Sequence, residues 1–146
     1  MGMFDSMHVS ASGLAAERLR MDVIAQNLAN ANSTRGPDGQ PYRRHEVVFR
    51  SSQVGGTSGP GRSDGAVDTP LNGVEPVAIV EDPSALRTVY DPNHPDADEN
   101  GYVSYPNVNP VTEMVDMMTA TRAYEANVTA MNAAKNMALK ALDILR

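Results

Sequence analysis

The 146-residue chain contains no cysteine and no tryptophan. Without cysteine there are no disulfides and no thiolate metal centres, and cysteine usage leaves the redox compartment open. Aromatic residues make up only 5% of the chain, so its 41% hydrophobic content comes chiefly from alanine, valine, methionine and leucine. Basic residues are outnumbered. Lys and Arg number 12 against 18 Asp and Glu, a formal net charge of −6, and no basic patch offers itself to nucleic acid. No apolar run approaches the roughly 18 residues that a membrane span requires. The opening segment MGMFDSMHVS lacks the basic flank and apolar stretch of a secretory signal, so any export is expected to use another route.

Proline is absent from both ends. All ten prolines lie between Pro37 and Pro110, and neither glycine nor proline occurs from Leu14 to Arg35 or from Val111 to Arg146. Two helix-compatible ends therefore flank a helix-breaking middle. The last stretch alone, if helical, would extend roughly 54 Å at about 1.5 Å per residue. A compact chain of this length has a radius of gyration near ~15 Å and is about 40 Å across. Such a helix must project, fold back or meet a partner, which marks an assembly protein rather than a self-contained catalyst. Charge divides the chain in the same way: residues 1–32 carry three acids and two bases, residues 33–108 eleven acids and six bases, and residues 109–146 four of each. The organisation expected is an N-terminal helix over 1–33, a Pro/Gly-rich insertion over 34–108 and a C-terminal helix over 109–146.

Asp5 or Ser6 is placed to cap the first helix, and Asn30 or Asn32 to end it. Alternating spacings of three and four select Met7, Ser10, Leu14, Glu17, Met21, Ile24, Leu28 and Ala31 as its stripe. Asn109 and Pro110 form a cap and first-turn pair for the second helix. There the same spacing selects Met114, Met117, Thr121, Tyr124, Val128, Met131, Lys135, Ala138, Leu142 and Leu145, a heptad-like series. Val111, Val115, Met118, Met137 and Leu139 widen the apolar surface beyond one seam, as in a helix that meets several neighbours. The expected fold is thus mainly α, its long terminal helices packed as a coiled-coil-like pair around a small β-rich insertion. Strands are expected within Tyr42–Arg50, Pro76–Glu81, Leu86–Tyr90 and Gly101–Tyr105, and a flexible loop at Gly55–Gly65.

Site motifs are few. Asp96-Ala97-Asp98-Glu99-Asn100-Gly101 matches the opening of a calcium-binding EF-hand loop, but the twelfth position is Asn107 instead of glutamate, and Pro95 and Pro106 oppose flanking helices. A calcium-binding regulatory module is the alternative from a different class. His8, His45 and His94 have no metal-ligand spacing. The run Arg43-Arg44-His45 reads as a solvated strand face. Neither a G-x-S-x-G turn nor a phosphate-binding glycine pattern is present, so no enzyme, cofactor or metal is expected.

The segments at the two ends carry a family resemblance. Ala25-Gln26-Asn27-Leu28-Ala29-Asn30-Ala31-Asn32-Ser33 resembles the NLAN signature of the flagellar rod and hook axial proteins. Glu113-Met114-Val115-Asp116-Met117-Met118 leading into Arg122-Ala123-Tyr124-Glu125-Ala126-Asn127 resembles their second signature. The middle, with Gly36–Arg43, Val47-Val48-Phe49, Val89–Pro92 and Gly101-Tyr102-Val103, resembles the proximal-rod members, departures gathering in Gly55–Gly73. The resemblance implies a structural subunit of the bacterial flagellar basal body, another rod subunit being the near alternative. It implies type III export without a cleaved signal and polymerisation into a periplasm-spanning rod that transmits torque. Implied partners are copies of itself, other rod proteins and the export-gate end. Residues expected at subunit interfaces are Leu14, Met21, Ile24, Asn27, Leu28, Asn30, Met114, Met117, Met118, Arg122, Tyr124, Asn127, Val128, Met131, Leu142 and Leu145. Asn27, Asn30 and Asn127 are expected to fix register there by hydrogen bonding.

Overall fold

The computed structural model describes residues 3–54 and 71–144. The expected loop Gly55–Gly65 and the interface candidate Leu145 lie outside the described residues. Helix α1 spans Met3–Ala29 and helix α2 spans Pro110–Ile144, with four strands between them: β1 His45–Val54, β2 Leu71–Glu81, β3 Arg87–Tyr90 and β4 Tyr102–Tyr105. The fold is mixed helix and strand, two long helices joined by two small sheets.

The helix ends follow local chemistry. Past Ala29, the Asn30 side chain donates to the Gln26 carbonyl at 2.9 Å and accepts from the Ser33 hydroxyl at 3.1 Å, turning the chain out of α1. At the start of α2, Asn109 Oδ1 accepts from the Val111 amide at 3.1 Å, while Pro110 occupies the first turn, where it forfeits no helical hydrogen bond.

Strands β1 and β2 pair antiparallel from His45↔Glu81 to Val54↔Leu71. The register slips between Val48 and Phe49, because Phe49 faces Pro76 while Val48 faces Ala78, leaving Val77 as the extra residue. Pro76 has no N–H to give the ladder, and a bulge is where a strand accommodates proline. Strands β3 and β4 form a second antiparallel pair, with Tyr90 opposite Tyr102 and their rings edge-to-face at 5.3 Å. Gly101 closes this pair with φ +79°; a Cβ there would lie 3.0 Å from the Tyr90 ring.

Helix α1 is the central element, touching α2 on one side and both β1 and β2 on another. Arg20 stacks over the Phe49 ring at 4.9 Å, and the Ser12 hydroxyl accepts from the Val74 amide at 3.1 Å, so the long hairpin lies along the helix. Helices α1 and α2 run in opposite directions: Asn27 meets Glu113, Met21 meets Thr121, and Gly13 faces Asn127.

The buried line on α2 differs from the expected stripe at alternate positions. Glu113, Ala120 and Ala134 are buried, whereas Met114, Thr121, Lys135 and Leu142 are exposed. Small residues decide this. With Gly13 and Ala16 on one helix and Ala120 and Ala134 on the other, the backbones approach closely, and Met114, Met118 and Met137 turn outward while Met117 and Met131 flank the contact. Among the described residues the buried apolar ones are Ala16, Val23, Ile24, Ala31, Val103, Ala120 and Ala134, with no large apolar side chain from α2.

Candidate functional site

Among the described residues, the most completely enclosed polar group is built by three segments that are far apart in sequence. Asn27, in the last turns of α1, is 1% exposed; Glu113, in the first turn of α2, is 0% exposed. Asn27 Nδ2 donates to Glu113 Oε2 at 3.1 Å and to the His45 carbonyl at 2.8 Å. Its Oδ1 accepts from the His45 amide and from the Tyr42 hydroxyl, both at 2.9 Å. One carboxamide thus satisfies both backbone groups at the start of β1 and holds α2 as well.

The second carboxylate oxygen of Glu113 is taken by Arg44, whose Nε lies 2.6 Å from Oε1. The other guanidinium nitrogens reach Glu46, Asp82 and Asp116 at 3.7, 3.9 and 3.6 Å. A buried carboxylate is tolerable only when paired and hydrogen-bonded, and Glu113 is both. Its hydrogen bond raises the Arg44 guanidinium further above its already high value, so Arg44 stays charged at any working pH. Burial, with Glu113 and Glu81 nearby, raises the Tyr42 phenol, keeping it a neutral donor. Because the one Tyr42 proton goes to Asn27, the 2.9 Å contact with His45 Nδ1 requires the histidine proton on that nitrogen.

The loop that delivers these groups is itself fixed. Residues 36–40 turn through Gly36 N to Gln40 O at 2.7 Å, with Gly39 at φ +74°. Asn107 Oδ1 accepts from the Arg44 amide at 2.8 Å and its Nδ2 donates to the Ser84 hydroxyl at 2.7 Å. The Ser84 amide and hydroxyl in turn hold Asp82 below the usual carboxylate range.

The reading of Arg43-Arg44-His45 as a solvated face is corrected here. Arg44 is enclosed because β1 begins at His45, where the chain closes against α1, and the preceding guanidinium must then point at Glu113. The EF-hand-like segment is an acidic turn, as its missing twelfth-position glutamate and flanking prolines led one to expect: it joins strands β3 and β4, not helices, and Asp98 Oδ1 accepts from the Asn100 and Tyr102 amides at 3.0 and 2.8 Å. Asp96 instead accepts from the Thr34 hydroxyl at 2.8 Å. Among the described residues no group of three or more His, Asp or Glu is placed to hold a metal. The open groove over the junction, bordered by Arg20, Arg44, Glu46 and Asp116, measures about 200 Å³, small beside ligand pockets of roughly 300–1,000 Å³.

The residues singled out from the sequence fall into distinct places. Ile24 and Asn27 are buried inside the subunit, and Leu14, Met21, Met117, Tyr124, Asn127, Val128 and Met131 are half-buried. Leu28, Met114, Met118, Arg122 and Leu142 are exposed. Asn30 serves the local turn. Sequence reasoning missed Tyr42, Arg44, Asn107 and Glu113. The signal for Glu113 was its position at the head of the second signature, three residues into a helix whose outer side is apolar.

The two signatures of the chain thus meet at Asn27 and Glu113. Residues 7–37 match the family described as flagella basal body rod protein, and residues 99–144 match the C-terminal part of the flagellar basal body rod FlgEFG proteins. The chain is 47% identical to the flagellar basal-body rod protein FlgC of Borreliella burgdorferi, over 100% of this chain and 99% of that one. It is 47% identical to FlgC of Bacillus subtilis over 99% of each chain, and 42% identical to FlgC of Salmonella typhimurium over 99% of this chain and 98% of that one. The chain belongs to the FlgC family of flagellar basal-body rod proteins. Its role is structural, as a subunit of the proximal rod, and not catalytic. Both matched segments contain a member of the buried junction, so that junction ties together the two parts of the chain that carry the family.

Proposed function

We propose that the chain polymerises through its terminal segments, residues 1–33 and 109–146, into the drive shaft that crosses the periplasm and carries torque. In this reading the helices pack as coiled-coil-like pairs in an inner tube, and residues 34–108 form the insertion outside it. The subunits reach the rod through the flagellar type III export route without a cleaved signal. Partners are further copies, neighbouring rod proteins and the export-gate end.

The observation that carries this reading is the exposed apolar surface of α2. Val111, Met114, Val115 and Met118 are exposed together near its start, and Met137, Leu139 and Leu142 near its end, while its inner line already serves α1. A stable monomer has no use for so many exposed large apolar side chains on one helix. Of the interface candidates, Leu28, Met114, Met118, Arg122 and Leu142 are free to meet a neighbour. Leu14, Met21, Ile24, Asn27, Met117, Tyr124, Asn127, Val128 and Met131 act by packing α1 on α2, Asn30 by shaping the turn after α1.

The test replaces two exposed residues, Val115→Glu with Leu139→Glu, in a strain lacking the wild-type gene. The purified variant is expected to keep the wild-type circular-dichroism spectrum, because neither side chain is buried. Basal bodies from that strain should lack rods and the cells should not swim. Normal rods and motility would sink the assembly reading.

A further inference from the structure

All nine methionines lie in the terminal segments: Met1, Met3, Met7 and Met21 in the first, Met114, Met117, Met118, Met131 and Met137 in the last. In the subunit they are not equivalent. Met114 is 47% exposed and Met118 is 55% exposed, one helical turn apart on α2 and beside Val111 and Val115. Met137 is 62% exposed farther along the helix. Met21, Met117 and Met131 are half-buried, and the Met21 sulfur lies 3.7 Å from the Thr121 hydroxyl. No packing within the subunit calls for a thioether at 114 or 118. A thioether is apolar and adaptable, which suits a contact face, and it is also oxidisable. The chain has no cysteine that would react first.

We propose that Met114 and Met118 form a sulfoxidation site through which a peroxide-class oxidant controls whether α2 can join a neighbouring subunit. This rests on the assembly reading above. In the reaction a sulfur lone pair attacks one oxygen of hydrogen peroxide, an S–O bond forms and the O–O bond breaks. Sulfur gives up two electrons, and the remaining oxygen leaves as water after taking up the transferred proton. The product side chain is polar and chiral, and two of them one turn apart would convert the apolar start of α2 into a face that must be desolvated to associate. Reduction by a thiol-dependent sulfoxide reductase returns the thioether, with two thiols oxidised to a disulfide and water released.

The purified full chain is compared before and after hydrogen peroxide, with oxidation mapped by peptide mass spectrometry and association followed by sedimentation. Met114, Met118 and Met137 should gain oxygen ahead of Met21, Met117 and Met131. Once Met114 and Met118 are oxidised, the concentration needed for association should rise about tenfold or more. Sulfoxide reductase should restore it. The volume-conserving variant Met114→Leu/Met118→Leu should associate like the reduced wild type and continue to do so after peroxide, although Met137 is oxidised in the same sample. Unchanged association of chain sulfoxidised at both positions would overturn the proposal, as would a double variant that stays as peroxide-sensitive as wild type. If the reduced wild type does not associate at all, the assembly reading itself falls, and this proposal with it.

Discussion

Asn27 is the residue on which the subunit turns, because its carboxamide, carried on α1, bonds the start of β1 and α2 together. Its replacement by alanine removes partners of the His45 amide and carbonyl, the Tyr42 hydroxyl and one Glu113 oxygen at a largely buried junction. At about 1–3 kcal/mol for each buried group left unpaired, partly relieved by relaxation, Asn27→Ala is expected to lose roughly 3 kcal/mol in urea unfolding. Asn30→Ala removes only the bonds of a local turn, one of them exposed, and should lose about 1 kcal/mol or less. Equal losses would show that the junction is not the fixed point described above. The sequence pointed to Asn27 through its signature, but not to what it binds. A side chain's partner depends on which loop returns beneath it, and Gly36–Arg44 makes that return through turns that no periodicity records.

Element boundaries were far more legible, because they depend on neighbours along the chain. Asn109 and Pro110 foretold the start of α2 and the asparagines after Ala29 the end of α1, and the four described strands overlap the expected β-type runs, but Asp5 and Ser6 lie inside α1 instead of capping it, β1 runs on to Val54 and β2 begins at Leu71. The face of α2 that packs inward was legible only at every other position. Met117, Tyr124, Met131 and Ala138 lie on it as expected, but Glu113, Ala120, Asn127 and Ala134 replace the larger residues one step on. Hydrophobic spacing rewards size, whereas two helices in close approach reward smallness. Gly13 tests this directly. A Cβ there would fall 2.9 Å from Asn127 Nδ2 and 3.3 Å from its Cγ. Alanine should gain about 1 kcal/mol over glycine inside a helix. With Asn127 in place, Gly13→Ala is expected to yield none of that gain, and in an Asn127→Ala background to yield most of it. A double-mutant cycle in thermal unfolding should therefore show coupling of about 0.5 kcal/mol or more, and additive effects would mean that the two helices do not meet there.

Over the whole molecule these contacts are unevenly distributed. One end of the helix pair is gathered by Asn27, Tyr42, Arg44, Asn107 and Glu113, and the sheet of β3 and β4 is linked to the same region through Asp96 and Asn107. The other end has Gly13 against Asn127, buried alanines, half-buried methionines and the Ser12–Val74 hydrogen bond to the hairpin. Isolated helices gain little stability from propensity alone, so the end with less packing depends more on what surrounds it. In dilute solution, amide hydrogen exchange should then grade along both helices: residues 20–28 and 113–121 protected most, residues 3–12 and 130–144 least. Association should extend protection to the weak end and raise the helix signal in circular dichroism. The polar junction would in that case act as the preformed hinge of each subunit, and neighbouring copies would complete the far end. Uniform protection along both helices in the dilute chain would instead mean that each subunit is finished before it assembles, and that the exposed methionines, valines and leucines of α2 add contacts between subunits without ordering them.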